Sequence, residues 1–232
     1  MRIAEIYASL QGEGLLAGMP STFVRTSGCN LRCVWCDTPF TSWRPEGGEL
    51  PVADVLAAVE RLEPRHVVVT GGEPLLLADV ADLCRELRRG GRHVTVETAG
   101  TVLPFPADGL FDLVSISPKL ASSTPPQDTP GRWATRHEAA RRRDDVIRRL
   151  AGAAPHQLKF VVETPADLDE ALRWLEELGD WVDRDRVFLM PQARTEEELA
   201  PRTAWLADEC RRLGLRLARR YHIEWFGGRR GT

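Results

Sequence analysis

Short apolar runs alternate with amphipathic segments along most of the chain, and this alternation constrains the fold more than any other feature. Strands are predicted at residues 3–7, 22–26, 66–70, 93–97, 112–117, 157–162, 186–190 and 215–219. A helix is predicted over residues 52–62, and a second with Leu76, Val80, Leu83 and Leu87 facing inward. Because strand–helix–strand units imply parallel strands, the sequence predicts an α/β protein, a partial (β/α) barrel of about six parallel strands.

Three of the five cysteines lie in one short stretch, at Cys29, Cys33 and Cys36, and indicate a soft-metal or redox site. A closed structural zinc site needs four ligands, usually as two separated pairs. The chain has no second Cys-x-x-Cys and no His-x-x-x-His. An iron-sulfur cluster normally takes four cysteines, so three would leave one iron without a protein ligand. That iron could bind a small molecule.

The other two cysteines, Cys84 and Cys210, fall among apolar residues at helical spacing and are predicted to be small buried side chains. An odd number of cysteines without an export signal argues against a disulfide framework. The first five residues open into strand-like sequence rather than a signal peptide. We therefore expect a cytoplasmic protein.

The charge balance is close to neutral, with a formal net charge of −3 in 232 residues. A net charge this close to zero does not favour binding to nucleic acid or to an anionic membrane. No apolar run reaches the ~18 residues that a membrane span needs. We therefore expect a small-molecule ligand, with no nucleic acid and no membrane as partners.

Polar and glycine-rich motifs recur where predicted strands end, which is the edge of a parallel sheet at which ligands bind. They lie at Cys29–Thr38, Gly71–Pro74, Glu97–Thr98, Ser117–Lys119, Gln192 and His222. His66, His93 and His156 begin strands and are expected at the opposite end, which leaves His222 as the histidine expected on the cysteine side. The active site is therefore predicted at the C-terminal ends of the strands.

Residues 121–132 interrupt the alternation with three prolines and a glycine, and we predict an exposed insertion rather than a domain linker. Arg141–Arg143 is expected to be a solvated face rather than a binding patch. The chain is predicted to be a single domain over residues 1–232. A C-terminal tail from about residue 221 could fold over the site or stay mobile.

The motif Cys-x-x-x-Cys-x-x-Cys at residues 29–36, followed by Gly-Gly-Glu-Pro at residues 71–74, resembles the radical S-adenosylmethionine (SAM) superfamily. The resemblance implies that Cys29, Cys33 and Cys36 hold a 4Fe-4S cluster. It also implies that the amine and carboxylate of SAM chelate the fourth iron, which matches the open iron inferred from the number of thiols.

Further motifs are spread over nearly the whole chain, at residues 5–14, 23–25, 29–38, 70–74, 97–101 and 117–119 and around His222. Through these motifs the chain resembles the family of 7-carboxy-7-deazaguanine synthases, which belong to the queuosine and 7-deazapurine pathway. The resemblance implies conversion of 6-carboxy-5,6,7,8-tetrahydropterin to 7-carboxy-7-deazaguanine and ammonia by radical ring contraction. It further implies an electron donor such as flavodoxin and a homodimer.

The same resemblance implies roles for individual residues. Thr38 is expected to bind Mg²⁺, for which a hydroxyl oxygen is a suitable ligand. SAM is expected to contact Asp37, Gly71, Gly72, Glu73, Ser117, Lys119 and Gln192. The pterin is expected to contact Gln11, Gly12, Glu13, Arg25, Thr70, Glu97 and His222.

A pterin with a carboxylate needs an acceptor for its ring N–H groups and a cation or N–H donor for its carboxylate. Glu13 or Glu97 can fill the first role and Arg25 the second. The alternative is that Glu13 and Arg25 only pair with each other.

Two other functions remain open from the sequence. One is a glycyl-radical-enzyme activase, which would carry the same cysteine motif but would not be expected to need Gln11–Gly14, Arg25 or Asp37-Thr38. The other is a non-enzymatic zinc-binding module, which the six polar strand ends on the cysteine side disfavour.

Overall fold

One open sheet of nine strands runs through the computed structural model, which describes residues 1–232. The strands, numbered in chain order, are β1 Arg2–Leu10, β2 Pro20–Thr26, β3 Gly48–Glu49, β4 His66–Gly71, β5 His93–Thr98, β6 Leu113–Ile116, β7 His156–Val162, β8 Val187–Pro191 and β9 Arg216–Leu217. Their order across the sheet is β3-β1-β2-β4-β5-β6-β7-β8-β9. From β5 onward, each strand therefore lies beside its predecessor in the chain.

Seven of the nine strands are parallel, namely β2 and β4 to β9. This confirms the predicted α/β class and the largely parallel sheet. The two exceptions are β1, antiparallel to β2, and β3, antiparallel to β1. The connection from β1 to β2 is too short for the crossover that a parallel pair requires, so the chain turns back on itself.

Seven helices accompany the sheet: α1 Val52–Glu60, α2 Asp79–Arg89, α3 Trp133–Ala140, α4 Asp144–Ala153, α5 Pro165–Leu178, α6 Glu196–Leu213 and α7 Tyr221–Phe226. Helix α5 begins at a capping box, in which Thr164 Oγ1 accepts from Asp167 N and Asp167 Oδ2 accepts from Thr164 N. None of the seven combines the length and apolar character that crossing a bilayer requires.

The main core lies between the parallel strands and their helices. Val67 and Val69 of β4 are fully buried, as are Val80 and Leu83 of α2. Cys84 and Cys210 are buried on α2 and α6, as expected. Leu76 was expected on the buried face of α2 but is 40% exposed, because the helix begins only at Asp79 and Leu76 lies in the preceding 3-10 turn.

The segment at residues 121–132, predicted to be an exposed insertion, is exposed only in part. Its second half is largely exposed, but Ser123 and Pro125 are buried. The carbonyl of Ser123 accepts from Val34 N at 2.9 Å, inside the cysteine loop. The first half of the segment therefore forms a wall behind the cysteines. Pro and Gly content indicated a break in the alternation, but it could not show which side chains turn inward.

Candidate active site

The carboxyl ends of the parallel strands surround a cavity of about 530 Å³, which is large enough for a small ligand. The three cysteines line this cavity together with the two residues that follow them, Asp37 and Thr38. Gly71, Gly72, Ser117 and Lys119 line it as well. So do all seven residues expected to contact a pterin, Gln11, Gly12, Glu13, Arg25, Thr70, Glu97 and His222.

Two residues of the predicted site lie outside the cavity lining. The buried Glu73 carboxylate accepts from Thr98 Oγ1 and Ala99 N, both at 2.8 Å, and so holds the end of β5. Gln192 is buried and accepts from Arg202 of α6. A strand's end fixes the edge of the sheet at which a residue lies, but not the direction of its side chain.

The thiols of Cys29 and Cys33 in the cysteine loop are largely shielded from solvent. Burial raises the pKa of Cys29 and of Cys33 to about 12, so these groups are neutral thiols unless a metal binds them. Leu31 N lies 3.4 Å from Cys29 Sγ and donates to it, and Cys36 Sγ lies 3.3 Å from Ser42 Oγ. These polar contacts suit thiolate ligands of a metal group.

The donor set fits an iron-sulfur cluster better than a single ion. A lone zinc ion needs its ligands gathered at about 2.0–2.3 Å. No three His, Cys, Asp or Glu side chains converge in that way. Three soft thiols spread around one cavity match a cluster with one iron open toward the cavity.

Gly72 lies against the start of the cysteine loop. A Cβ at this position would lie 2.2 Å from the Gly28 carbonyl oxygen, so only glycine allows this packing. Glu73 N donates to the same oxygen at 2.9 Å. The Gly71-Gly72 turn therefore brings bare backbone to the cavity beside the cysteines.

Lys119 is half-buried, and its amino group has no carboxylate partner. Its Nζ donates to the carbonyl of Ser117 at 2.9 Å and to Ser117 Oγ at 2.8 Å. Burial lowers its pKa, partly offset by the nearby Cys33. An amino group that can take up a proton and has no carboxylate partner beside the thiols suits an anionic ligand in the cavity.

Glu13 is the centre of a charged wall on another side of the cavity. Its carboxylate pairs with Lys159 of β7, and it lies 3.6 Å from Arg220 Nε and 3.7 Å from His222 Nδ1. Burial alone would raise the pKa of Glu13, but Lys159, His222 and Arg220 outweigh burial and hold the pKa well below its usual range. Glu13 is therefore ionised.

Arg25 does not pair with Glu13, so that alternative is wrong in this structure. Arg25 donates to Glu5 Oε1 and to the Tyr7 hydroxyl, both at 2.8 Å. Burial would lower the pKa of Arg25, but its contacts with Tyr7 and Glu5 raise it overall. Gln11 Nε2 donates to Glu97 Oε1 at 3.0 Å, so two further predicted pterin contacts are linked to each other.

Gly12 packs directly beneath His222, where a Cβ would lie 2.9 Å from the backbone nitrogen of His222. Tyr221 N donates to the Gly12 carbonyl at 3.0 Å. These contacts fix the start of α7 against the Gln11–Gly14 turn. They explain why two motifs more than 200 residues apart in sequence contribute to one wall.

Three residues of this region, Lys159, Arg220 and His137, are not among those predicted from the sequence. Lys159 lies within β7, and a lysine inside an otherwise apolar strand was a usable signal, because a buried ammonium needs a partner. Arg220 precedes α7 and donates to Asp37 and to the carbonyl of Ala193.

The third is His137, which corrects the expectation that His222 is the histidine on the cysteine side. It lies on α3 and is fully buried, and its Nδ1 accepts from Arg32 N at 3.0 Å. Its Nε2 therefore carries the proton and donates to Ser123 Oγ at 2.9 Å. Burial lowers the pKa of His137 to about 4. This chain of bonds joins the cysteine loop to the wall behind it.

The C-terminal tail folds over the cavity. Arg230 donates to Glu5 Oε2 and to Glu46 Oε2, both at 2.9 Å, and its guanidinium lies 3.9 Å from the centre of the Phe40 ring. Residues 228–232 all line the cavity. Of the two alternatives for the tail, the structure has the closed one.

A parallel sheet with three cysteines of one loop at its carboxyl edge defines a radical SAM domain. The family model for the radical SAM superfamily matches residues 23–153. A crystal structure of SuiB from Streptococcus suis, bound to S-adenosylmethionine, has the same fold, with a TM-score of 0.56 at 13% identity over 86% of this chain and 50% of that chain.

Similarity to curated proteins shows which family of the superfamily the chain belongs to. The chain is 44% identical to the 7-carboxy-7-deazaguanine synthase of Rhodopirellula baltica, over 99% of this chain and 88% of the relative. It is 45% identical to that of Halobacterium salinarum, over 95% and 88%. The crystal structure of QueE from Escherichia coli matches with a TM-score of 0.69 at 26% identity, over 95% of this chain and 94% of that one. The chain belongs to the 7-carboxy-7-deazaguanine synthase family of the radical SAM superfamily.

Proposed function

We propose that this chain converts 6-carboxy-5,6,7,8-tetrahydropterin to 7-carboxy-7-deazaguanine and ammonia. The observation that carries the proposal is the pairing, within one cavity, of a three-thiol loop with a wall of matched charges around Glu13. The relatives that match nearly the whole chain bear the name of this activity.

Cys29, Cys33 and Cys36 would hold the cluster, and the backbone of Gly71-Gly72 with Lys119 would hold the amine and carboxylate of SAM. Bound together, the two groups would supply the radical chemistry that the ring contraction requires. The chain's own part is to orient the substrate, balance its charge and exclude water.

The charged wall suits the substrate's two kinds of polar group. Ionised Glu13, and Glu97, which is linked to it through Gln11, can accept hydrogen bonds from ring N–H groups. Arg25 or Lys159 can bind the 6-carboxylate. Arg25 would then give up part of its ion pair with Glu5, or Lys159 part of its ion pair with Glu13. The tail, held by Arg230, would keep water from the reacting ring.

Mg²⁺ binding at Thr38 is part of the proposal. Thr38 lines the cavity two residues after Cys36, and its Oγ1 accepts from Thr41 Oγ1 at 3.1 Å. That bond leaves the Thr38 oxygen with a further lone pair for a hard cation. A single protein ligand is sufficient for Mg²⁺, which takes its other ligands from water and substrate.

The proposal includes a cytoplasmic location, an oligomeric state and an electron donor. Five free cysteines suit the reducing cytoplasm. A single domain over residues 1–232, a homodimer and an electron donor such as flavodoxin are supported by the resemblance to the family.

The test is product formation by anaerobically reconstituted, reduced protein supplied with SAM, Mg²⁺ and the substrate. We expect 7-carboxy-7-deazaguanine by mass spectrometry, and none from a tetrahydropterin with a 6-hydroxymethyl group in place of the carboxylate. SAM cleavage without deazapurine would keep the enzyme class and reject the substrate.

Cluster content tests the class separately. Reconstituted protein should hold about four iron atoms per chain. Cys33→Ala should lose them, whereas Cys84→Ala, which removes a buried thiol of α2, should retain them. Zinc binding without iron uptake would reject the radical class altogether.

A further inference from the structure

Glu5 of β1 is shared between an arginine of the cavity wall and an arginine of the C-terminal tail. Its Oε1 accepts from Arg25 Nε at 2.8 Å, and its Oε2 accepts from Arg230 Nε at 2.9 Å. The Glu5 side chain is only 15% exposed, and these two arginines are the cations that pair with it. Because a largely buried carboxylate needs a cation, whatever engages one arginine changes the pairing of the other.

The tail arginine belongs to residues 227–232, which follow α7 and are called the strap below. Gly227 and Gly228 begin the strap with φ angles of 64° and 66°, which turn the chain away from α7 and which other residues rarely adopt. The backbone hydrogen bonds of the strap run only to α7. Every hydrogen bond that ties the strap to a part of the chain beyond α7 is donated by Arg230. One side chain therefore holds the strap over the cavity.

Arg230 makes a second contact on the loop that follows Thr38. Its Nη1 donates to Glu46 Oε2 at 2.9 Å, and its guanidinium lies 3.9 Å from the centre of the Phe40 ring. Glu46 N donates to the Phe40 carbonyl at 2.8 Å, so both contacts belong to one turn. The Glu46 side chain is 55% exposed, and solvent and salt weaken an exposed ion pair. Glu5 is therefore the stronger anchor of the strap.

A carboxylate bound at Arg25 would change how Glu5 is shared. Arg25 would give up part of its ion pair with Glu5 to the ligand, and Glu5 would then depend on Arg230 for its neutralisation. The pull of Glu5 on Arg230 would rise for the same reason. A ligand without a carboxylate would leave Arg25 on Glu5, and the hold on the strap would stay as it is.

We propose that Glu5 couples the substrate's carboxylate to the strap, so that a carboxylate bound at Arg25 strengthens the Glu5–Arg230 pair and holds the strap closed. Glu5 and Arg230 are positioning residues in this role, because they act through Arg25 and through the strap. Coupling between two sites is reciprocal, so Arg230 favours binding of the carboxylate as much as the carboxylate favours the closed strap. The coupling makes exclusion of water depend on a pterin that carries the carboxylate.

This inference rests on the proposed function, because it places a pterin carboxylate at Arg25. It concerns binding and closure only, and no covalent bond forms or breaks. It can therefore be measured on anaerobic holoprotein with SAM but without a reductant, so that no turnover takes place. The two ligands compared are 6-carboxy-5,6,7,8-tetrahydropterin and the tetrahydropterin with a 6-hydroxymethyl group.

Hydrogen exchange of residues 227–232 tests closure of the strap. The carboxylated pterin should slow exchange of these amides about tenfold in the wild type. The hydroxymethyl pterin at saturation should leave their exchange unchanged. In Arg230→Gln the strap should exchange rapidly with either ligand. Protection of the wild-type strap by the hydroxymethyl pterin would overturn the coupling, because that ligand has no carboxylate to draw Arg25 from Glu5.

Binding measurements test the reciprocal effect. Arg230→Gln should weaken the Kd of the carboxylated pterin about tenfold and leave the Kd values of SAM and of the hydroxymethyl pterin unchanged. A general loosening of the site would weaken both pterins alike, and that result would overturn the coupling. Arg230→Lys keeps the charge and should restore most of the difference.

Two further variants complete the test. The matched control is Arg44→Gln, which removes an equal charge from the turn that carries Glu46, where Arg44 is exposed and forms no ion pair. It should bind both pterins like the wild type. In a Glu5→Gln background, Arg230→Gln should cause no further loss of selectivity, because the shared carboxylate is already gone. A full additional loss there would overturn the role of Glu5.

The outcomes separate this inference from the proposed function. A wild-type protein that binds the carboxylated pterin without protection of the strap would reject the coupling and keep the substrate. A wild-type protein that binds no carboxylated pterin would reject the proposed function itself.

Discussion

Arg220 donates to the carboxylate of Asp37 across 183 residues of sequence, and so joins the start of α7 to the residue that follows the third cysteine. Arg220 is only 2% exposed, and its Nε lies 3.6 Å from Glu13. One buried cation thus contacts a carboxylate on the cysteine side of the cavity and another on the side that Glu13 lines. The two halves of the cavity are held together by charge as well as by the sheet.

Replacing Arg220 tests that connection. Arg220→Gln should lower the free energy of unfolding by about 3 kcal/mol, because a buried ion pair loses one partner. Hydrogen exchange of residues 221–226 should also quicken. The matched control is Arg219→Gln, which removes a more exposed pair with Glu224 and should cost less than about 1 kcal/mol. Equal effects of the two substitutions would contradict the role given to Arg220.

Lys159→Met should change the pH profile of kcat/KM. Burial would raise the pKa of Glu13, and Lys159 is the first of the cations that hold it low instead. Without Lys159 the carboxylate takes up a proton at higher pH, so the acidic limb of the profile should move to higher pH. Lys159→Arg keeps the charge and should leave the limb in place. A profile for Lys159→Met that coincides with the wild type would show that Glu13 ionisation does not depend on this pair.

Protein stability should fall as the pH is lowered from about 6.5 to about 4. Burial lowers the pKa of His66 and of His137 to about 4, whereas in the unfolded chain both take up a proton near pH 6.5. In that window the unfolded chain binds more protons, so the free energy of unfolding should drop by roughly 1 kcal/mol per pH unit for each histidine.

Urea unfolding at several pH values measures this dependence. His137→Gln should show a smaller drop than the wild type between pH 6.5 and 5. An identical slope would mean that His137 is not kept neutral by the fold. The same variant should loosen the cysteine loop, because Arg32 N and Ser123 lose the ring that joins them.

Thr38→Ala should weaken the stimulation of turnover by Mg²⁺, because the hydroxyl oxygen proposed as a ligand is removed. Thr38→Ser keeps the hydroxyl and is the matched control. Mg²⁺ titrations of initial rate give the comparison. If all three proteins respond to Mg²⁺ alike, the metal does not bind at Thr38.

The edge of the sheet at which the site lies follows from the sequence, because parallel strands place all their carboxyl ends together. That rule brought Glu97 and His222 to one cavity, whereas Gln11, which follows the antiparallel β1, was expected there only from the resemblance to the family. It failed for Glu73 and Gln192, whose side chains turn into neighbouring elements. Periodicity identifies a strand's end but carries no information on rotamers or on which partner a polar group finds.

Lys159, Arg220 and His137 were missed for a related reason. Lys159 faces the cavity from within β7, and Arg220 and His137 act through partners more than 100 residues away. Their partners are set by the sheet order and by the folding of residues 121–140 against the cysteine loop. Neither can be inferred from local pattern. A lysine in an apolar strand remains the one local signal that could have been used.

The stoichiometry of the reaction tests the central claim most directly. Reduced holoprotein, SAM, Mg²⁺ and 6-carboxy-5,6,7,8-tetrahydropterin are incubated together, and deazapurine, ammonia and remaining substrate are quantified in the same samples. We expect one 7-carboxy-7-deazaguanine and one ammonia for each substrate molecule consumed. Cleavage of SAM with the substrate unchanged and no ammonia released would contradict the account.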